Sequence, residues 1–153
     1  MNLRATSAVA LGLVIGAAAG VGAYTFIYAQ GASYLTNDPN ACVNCHVMRE
    51  QYDGWVKSSH RSVAVCNDCH TPPGRVAKYV TKAQNGFWHS FAFTTGRFPD
   101  EILITSRNHG VTERACRKCH ESITLEIDGP HAAKTPRDEL ACVRCHRSVG
   151  HLH

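Results

Sequence analysis

A five-residue unit is written four times in this chain, and all eight cysteines fall within its copies. The copies are Cys42-Val43-Asn44-Cys45-His46, Cys66-Asn67-Asp68-Cys69-His70, Cys116-Arg117-Lys118-Cys119-His120 and Cys142-Val143-Arg144-Cys145-His146. Cys-x-x-Cys-His is the attachment motif of c-type haem. Two cysteines three positions apart reach the two vinyl groups of one porphyrin as thioethers, and the next imidazole stands under the iron as an axial ligand. Histidine occupies 10 of 153 positions, so four chance histidines after the four cysteine pairs would arise at roughly 2 in 100,000. Structural zinc would use paired Cys-x-x-Cys units but has no use for a histidine after each. Redox disulfides of this spacing do not come four to a chain, whereas cross-paired structural disulfides are the remaining rival in an oxidising compartment.

Four haems dictate the architecture. The 153 residues make room for one domain and a short appendage, with roughly 30 residues per haem. An ordinary side-chain core does not fit into that length. The expected fold is mainly α with much irregular structure, its porphyrin faces serving as the core. The formal charge of +4 is offset by two propionates per haem, up to about eight negative charges if all ionise. The basic residues are scattered, and nothing in the sequence points to nucleic acid.

Covalent haem attachment takes place outside the cytoplasm, so the chain needs an export signal. Ala5 to Ala29 is a run of 25 residues without a charge, which as a helix spans roughly 37 Å, enough to cross a bilayer. Arg4 favours a cytoplasmic N-terminus, and Tyr24 and Tyr28 mark the far interface. A cleaved signal peptide would have a shorter apolar region and a small-x-small cleavage site at its end. The expectation is an uncleaved anchor over residues 1–30 and a periplasmic domain over 31–153. Gly12, Gly16 and Gly20 form a smooth stripe suited to a helix–helix contact, in a segment rich in Gly and Ala throughout.

The linker Gln30–Ala41 carries turn chemistry in Asn37-Asp38-Pro39-Asn40. It is about a dozen residues long, which keeps the first haem near the membrane surface and within reach of a lipid-soluble donor. His46 to His70 is 24 residues, His120 to His146 is 26, and His70 to His120 is 50. The motifs therefore read as two haem pairs joined by a long connector. Six histidines lie outside the motifs: His60, His89, His109, His131, His151 and His153. Each is a candidate second axial ligand or an ordinary surface residue.

Within the connector, Pro72-Pro73-Gly74 is a turn and Val76–Ser90 has helical spacing. Val76, Tyr79, Val80, Ala83 and Phe87 form its candidate apolar face. Lys82 and His89 are seven apart and share a face. A base, a cation and the aromatics Trp88, Phe91 and Phe93 on a membrane-proximal helix make a candidate quinol pocket. The alternative is a haem-packing helix whose polar residues meet water.

Four such motifs after one N-terminal membrane helix resemble the NapC/NirT family of membrane-anchored tetrahaem quinol dehydrogenases. The Cys-x-x-Cys-His-x-Met form of the first motif, Lys82…Asn85-Gly86-Phe87-Trp88-His89, and His146-Arg147-Ser148-Val149-Gly150-His151 resemble the branch that forms the small subunit of cytochrome c nitrite reductase. The resemblance implies four covalently bound haem c groups and Met48, in place of His46, as axial ligand of haem 1. It implies His70, His120 and His146 as proximal ligands of haems 2 to 4. His60 and His151 would be distal ligands, each reaching a haem other than its neighbour, with the last position left to His131, His109 or the partner. Lys82 matches a lysine of the family's quinol pocket. His89 stands where the family pattern has an aspartate near haem 1, so it would accept a quinol proton or bind that iron. The implied activity is oxidation of a quinol, menaquinol above others, with electrons delivered to a periplasmic multihaem nitrite reductase. Another periplasmic reductase as acceptor, or a passive haem-wire anchor, are the alternatives.

Overall fold

The computed structural model describes residues 3–129 and 141–151. The candidate ligand His131 lies outside them, as does His153. The described residues form seven α-helices and three 3₁₀ segments, with no strand among them.

Helix α1, Leu3–Tyr28, has 26 residues. It is rich in alanine and contains no proline, so nothing interrupts the hydrogen-bond ladder. Its best 18-residue window has a mean hydropathy of 1.8 and none of it is buried. The helix is thus long and apolar enough to cross a membrane. The Gly12, Gly16 and Gly20 positions face open space. Gln30 adopts a left-handed conformation with φ 52°, and the ring of Phe26 lies against Gly31, where a Cβ would collide with it. The chain turns sharply there and enters the 3₁₀ segment Gly31–Leu35.

The expected turn chemistry then starts the next segment. Asp38 caps the 3₁₀ segment Pro39–Asn44, its carboxylate accepting from the Asn40 N–H at 2.9 Å, and Pro39 occupies the first position, where its missing N–H does no harm. A third 3₁₀ segment, His46–Met48, leads into α2, Arg49–Lys57. Helices α3 (Cys66–His70), α4 (Arg75–Thr95), α5 (Ser106–Cys119), α6 (Glu121–Asp128) and α7 (Cys142–Cys145) follow. Helices α3, α5 and α7 carry the second, third and fourth motifs. The 50-residue gap in sequence is not a gap in space, because α3 packs directly on α5.

Helix α4 differs from its expected form in length and in facing. It runs to Thr95, where Gly96 at φ 66° supplies the left-handed cap that ends it. The expected apolar face is exposed: Val76 is 80 % accessible and Phe87 62 %, whereas Lys82 is 7 % accessible. The reason is the packing partner. The Gly31–Leu35 segment lies against the opposite face, with the Tyr34 ring 3.4 Å from where a Gly86 Cβ would stand.

The polypeptide supplies almost no core of its own. Val111 is the one buried apolar side chain among the described residues, and no large side chain is fully buried. A folded chain normally buries its large apolar residues. Here the polypeptide leaves them exposed, as expected of a chain whose core is supplied by porphyrins and whose first helix is of membrane length.

Candidate functional site

The cysteines connect the motifs in order. All eight are free thiols. The Cys42 and Cys66 thiols are hydrogen-bonded, which lowers Cys42 to about 7 and pushes Cys66 up. Cys69 stands within electrostatic reach of Cys119, and Cys116 within reach of Cys69 and Cys142. The first motif therefore adjoins the second, the second the third, and the third the fourth.

Two pairs of imidazoles face each other across distances that suit an iron. The His70 and His151 ring centres are 6.0 Å apart and those of His60 and His120 are 6.1 Å apart. A metal about 2 Å from one nitrogen of each ring puts the ring centres roughly 6 Å apart. In both pairs the outer histidine is fixed through its other nitrogen. His151 Nδ1 lies 2.7 Å from the Gln51 carbonyl oxygen, and His60 Nδ1 lies 3.2 Å from that of Val149. An Nδ1–H donating to a carbonyl leaves Nε2 as the free lone pair, the arrangement typical of metal-binding histidines. Burial, and then the neighbouring His151, hold the His70 pKa below its ordinary value, which keeps the neutral, ligating form. The donor set and its spacing fit haem iron. His46 and His146 are exposed, and Met48 is half-buried where α2 begins.

The fourth motif is positioned by a buried carboxylate. Glu113 on α5 accepts from the N–H of Cys142 at 2.7 Å and of Val143 at 3.1 Å, capping α7 from outside. Burial works to raise its pKa. The Val143 and Cys142 donors, helped by His109, outweigh that and hold the carboxyl below its usual value. His109 Nε2 is 3.9 Å from Glu113 Oε1, which places His109 near the fourth motif.

Lys82 and His89 occupy one helix but different surroundings. The Lys82 ammonium donates to the Thr36 carbonyl, which also accepts from Asn67 Nδ2 at 3.1 Å. Burial, then the nearby Lys78, lower the Lys82 pKa, partly offset by Cys42. Lys82 thus sits beside the first motif and under the segment that leaves α1. Tyr34 closes the same corner; burial, then Cys45 and Cys42, push its pKa up. His89 lies further along α4 in an open cleft of about 290 Å³, with Asn85, Trp88, Thr105, Arg107 and Asn108. Lys82 is not among the residues lining that cleft. Partial desolvation lowers the His89 pKa, so the ring is neutral at neutral pH and can accept a proton.

Several of these residues carried no signal in the sequence. Arg107 Nη2 donates to Thr81 Oγ1 at 3.0 Å, and Asn108 Nδ2 donates to Asn85 Oδ1 at 3.2 Å. Asn108 Oδ1 is buried without a donor. An unmet buried acceptor is unfavourable, and a hydroxyl-bearing ligand would satisfy it. Tyr34, Thr36 and Glu113 are likewise visible only in space.

Comparison with known proteins shows what the chain as a whole resembles. The model of the N-terminal region of the NapC/NirT cytochrome c family matches residues 4–153. The cytochrome c-type protein NrfH of Wolinella succinogenes is 38% identical over 151 residues, covering 94% of this chain and 81% of its own. The cytochrome c nitrite reductase subunit NrfH of Nitratidesulfovibrio vulgaris is 33% identical, covering 93% and 84%. Among solved structures, a chain of the cytochrome c nitrite reductase NrfHA complex bound to the HQNO inhibitor aligns with a TM-score of 0.65 at 29% identity, covering 92% of this chain and 90% of that one.

Proposed function

Because the chain belongs to the NapC/NirT cytochrome c family, we propose that it is a membrane quinol dehydrogenase, which takes electrons from menaquinol beside its first motif and delivers them to a periplasmic multihaem nitrite reductase. The single observation that carries the reading is the corner at Thr36. A buried lysine stands there between the first motif and the segment leaving the membrane helix. The partner is inferred from the two NrfH relatives and the NrfHA complex. Helix α1 is taken as the anchor, with its N-terminus in the cytoplasm.

When bound, the haems supply centres that accept one electron at a time. The rest of the chemistry belongs to side chains. Lys82 has three N–H donors, and only one is taken by Thr36. A second would hold a quinol oxygen and stabilise negative charge developing there. His89 stands seven residues on, a rise of about 10 Å. That is the span of a ring whose two para oxygens each carry a hydrogen bond of about 2.8 Å. His89 would take the proton released at the far oxygen. Met48 would hold the iron of haem 1. His70 with His151 would hold the iron of haem 2, and His120 with His60 that of haem 3. His146 would hold the iron of haem 4, together with His109, His131 or a residue of the partner.

This reading gives His89 a pH signature. Its imidazole accepts a proton only when neutral, and its pKa lies below the ordinary value. Quinol oxidation is expected to rise with pH through that pKa and then level off. His89→Gln should flatten the acidic limb and reduce the plateau by about 10²–10⁴-fold, the usual contribution of a positioned base. The pH–rate profile of the reconstituted protein checks this; an unchanged profile would remove His89 from the chemistry.

A further inference from the structure

We infer that the C-terminal half of α4 and the loop after it form a second membrane contact, seated in the lipid interface beside α1. From Ala83 to Gly96 the chain carries no Asp, Glu, Lys or Arg. Phe87, Trp88 and Phe91 are 62, 61 and 40 % exposed, yet their rings cluster on one another, with centres 5.2 to 6.3 Å apart. The Gly96 cap then folds the chain back, with the Arg97 N–H donating to the Ala92 carbonyl at 2.9 Å. That return lays Phe98 against Phe93, ring centres 4.6 Å apart. The loop ends in Leu103 and Ile104, 72 and 50 % exposed. Aromatic and aliphatic side chains on a charge-free helix end, followed by a loop that sets Arg97, Asp100 and Glu101 beside Phe98, Leu103 and Ile104, have the mixed apolar and charged composition of an interfacial segment.

Position selects lipid as the occupant. The patch begins at the residue after Gly86, which packs on Tyr34. Tyr34 is only six residues beyond the end of α1 at Tyr28. The last four of those six residues belong to the 3₁₀ segment Gly31–Leu35, which advances only about 2 Å per residue. The patch is thus continuous with the place where the chain leaves the bilayer. Helix α4 packs mainly on that same 3₁₀ segment; the start of α5 touches it at Thr81 and Asn85, while the Phe87, Trp88 and Phe91 rings stay exposed. With this second contact the domain would lie at a fixed tilt, and the cleft holding His89 would open at the depth of the quinol headgroup.

The test uses the full haem-loaded chain in phospholipid vesicles and a carbene photolabel confined to the lipid phase. Peptides spanning α1 serve as the internal control for anchoring. Labelling of peptides carrying Phe87–Phe98 and Leu103–Ile104, at about the level of α1, is the expected result. Leu103→Glu should then abolish labelling of its own loop without changing haem content per chain. Labelling of α1 alone would overturn the inference while leaving the anchor intact. So would protection of the patch that appears only when the catalytic subunit is added, which would mark a protein interface. Protection in detergent without lipid would overturn it too, by showing that a haem covers these rings.

Discussion

Replacement of His151 by alanine in the haem-loaded protein is expected to turn one haem of the four from low-spin to high-spin. His60→Ala is expected to do the same to a different haem. The argument is geometric. Each of these rings faces a motif histidine at a separation that fits an intervening iron, and each has its other nitrogen on a backbone carbonyl. Loss of the ring removes a strong-field ligand and leaves no other imidazole against the same motif histidine among the described residues. Disturbing even the outer-shell partner of a metal ligand lowers activity about 10–100-fold. Loss of the ligand itself should reduce electron delivery to the partner by at least that much. Electron paramagnetic resonance of each variant counts the high-spin centres. Spectra identical to wild type would mean that the ring pairs are packing contacts and that the axial ligands come from elsewhere.

The second large effect falls on Lys82. Lys82→Met should slow quinol oxidation by about 10²–10³-fold, the loss typical when one donor to a developing negative charge is removed. Haem content and reduction by dithionite should stay unchanged. The variant also deprives the Thr36 carbonyl of a partner, at a cost of about 1 kcal/mol, but that carbonyl keeps Asn67. A purely structural lysine would give a different result. Thermal stability would then fall and quinol turnover per folded, haem-loaded molecule would be normal. Quinol kinetics together with a melting curve distinguish the two outcomes.

What the sequence made legible was local. Five residues suffice to define each haem motif, and 25 uncharged residues suffice to define a membrane-length helix. The Asp38–Pro39 start of a 3₁₀ segment is likewise written in adjacent residues. What was not legible depends on contacts between distant segments. Apolar periodicity did not show which face of α4 meets the rest of the polypeptide, because the partner that buries Lys82 and Gly86 lies about 50 residues upstream. The 50-residue gap divides the motifs into two pairs along the chain but does not say how the pairs meet, which the packing of α3 on α5 supplies. His60 faces His120 from 60 residues away, a pairing that no spacing rule within the chain encodes. Asn108 became noticeable only as a buried acceptor lacking a donor, and Glu113 only as the cap of a helix that starts 29 residues later. Periodicity also presumes a side-chain core. In this chain the core is cofactor, so exposure in the polypeptide does not map onto solvent.

The proposed activity is tested most directly by mixing the full haem-loaded chain, alone in phospholipid vesicles, with a menaquinol analogue and following haem absorbance in a stopped-flow instrument. The account predicts reduction of the haems without any partner protein, slowed by Lys82→Met and by His89→Gln. Haems that dithionite reduces but the quinol does not would contradict it, and would leave the chain a passive anchor and wire.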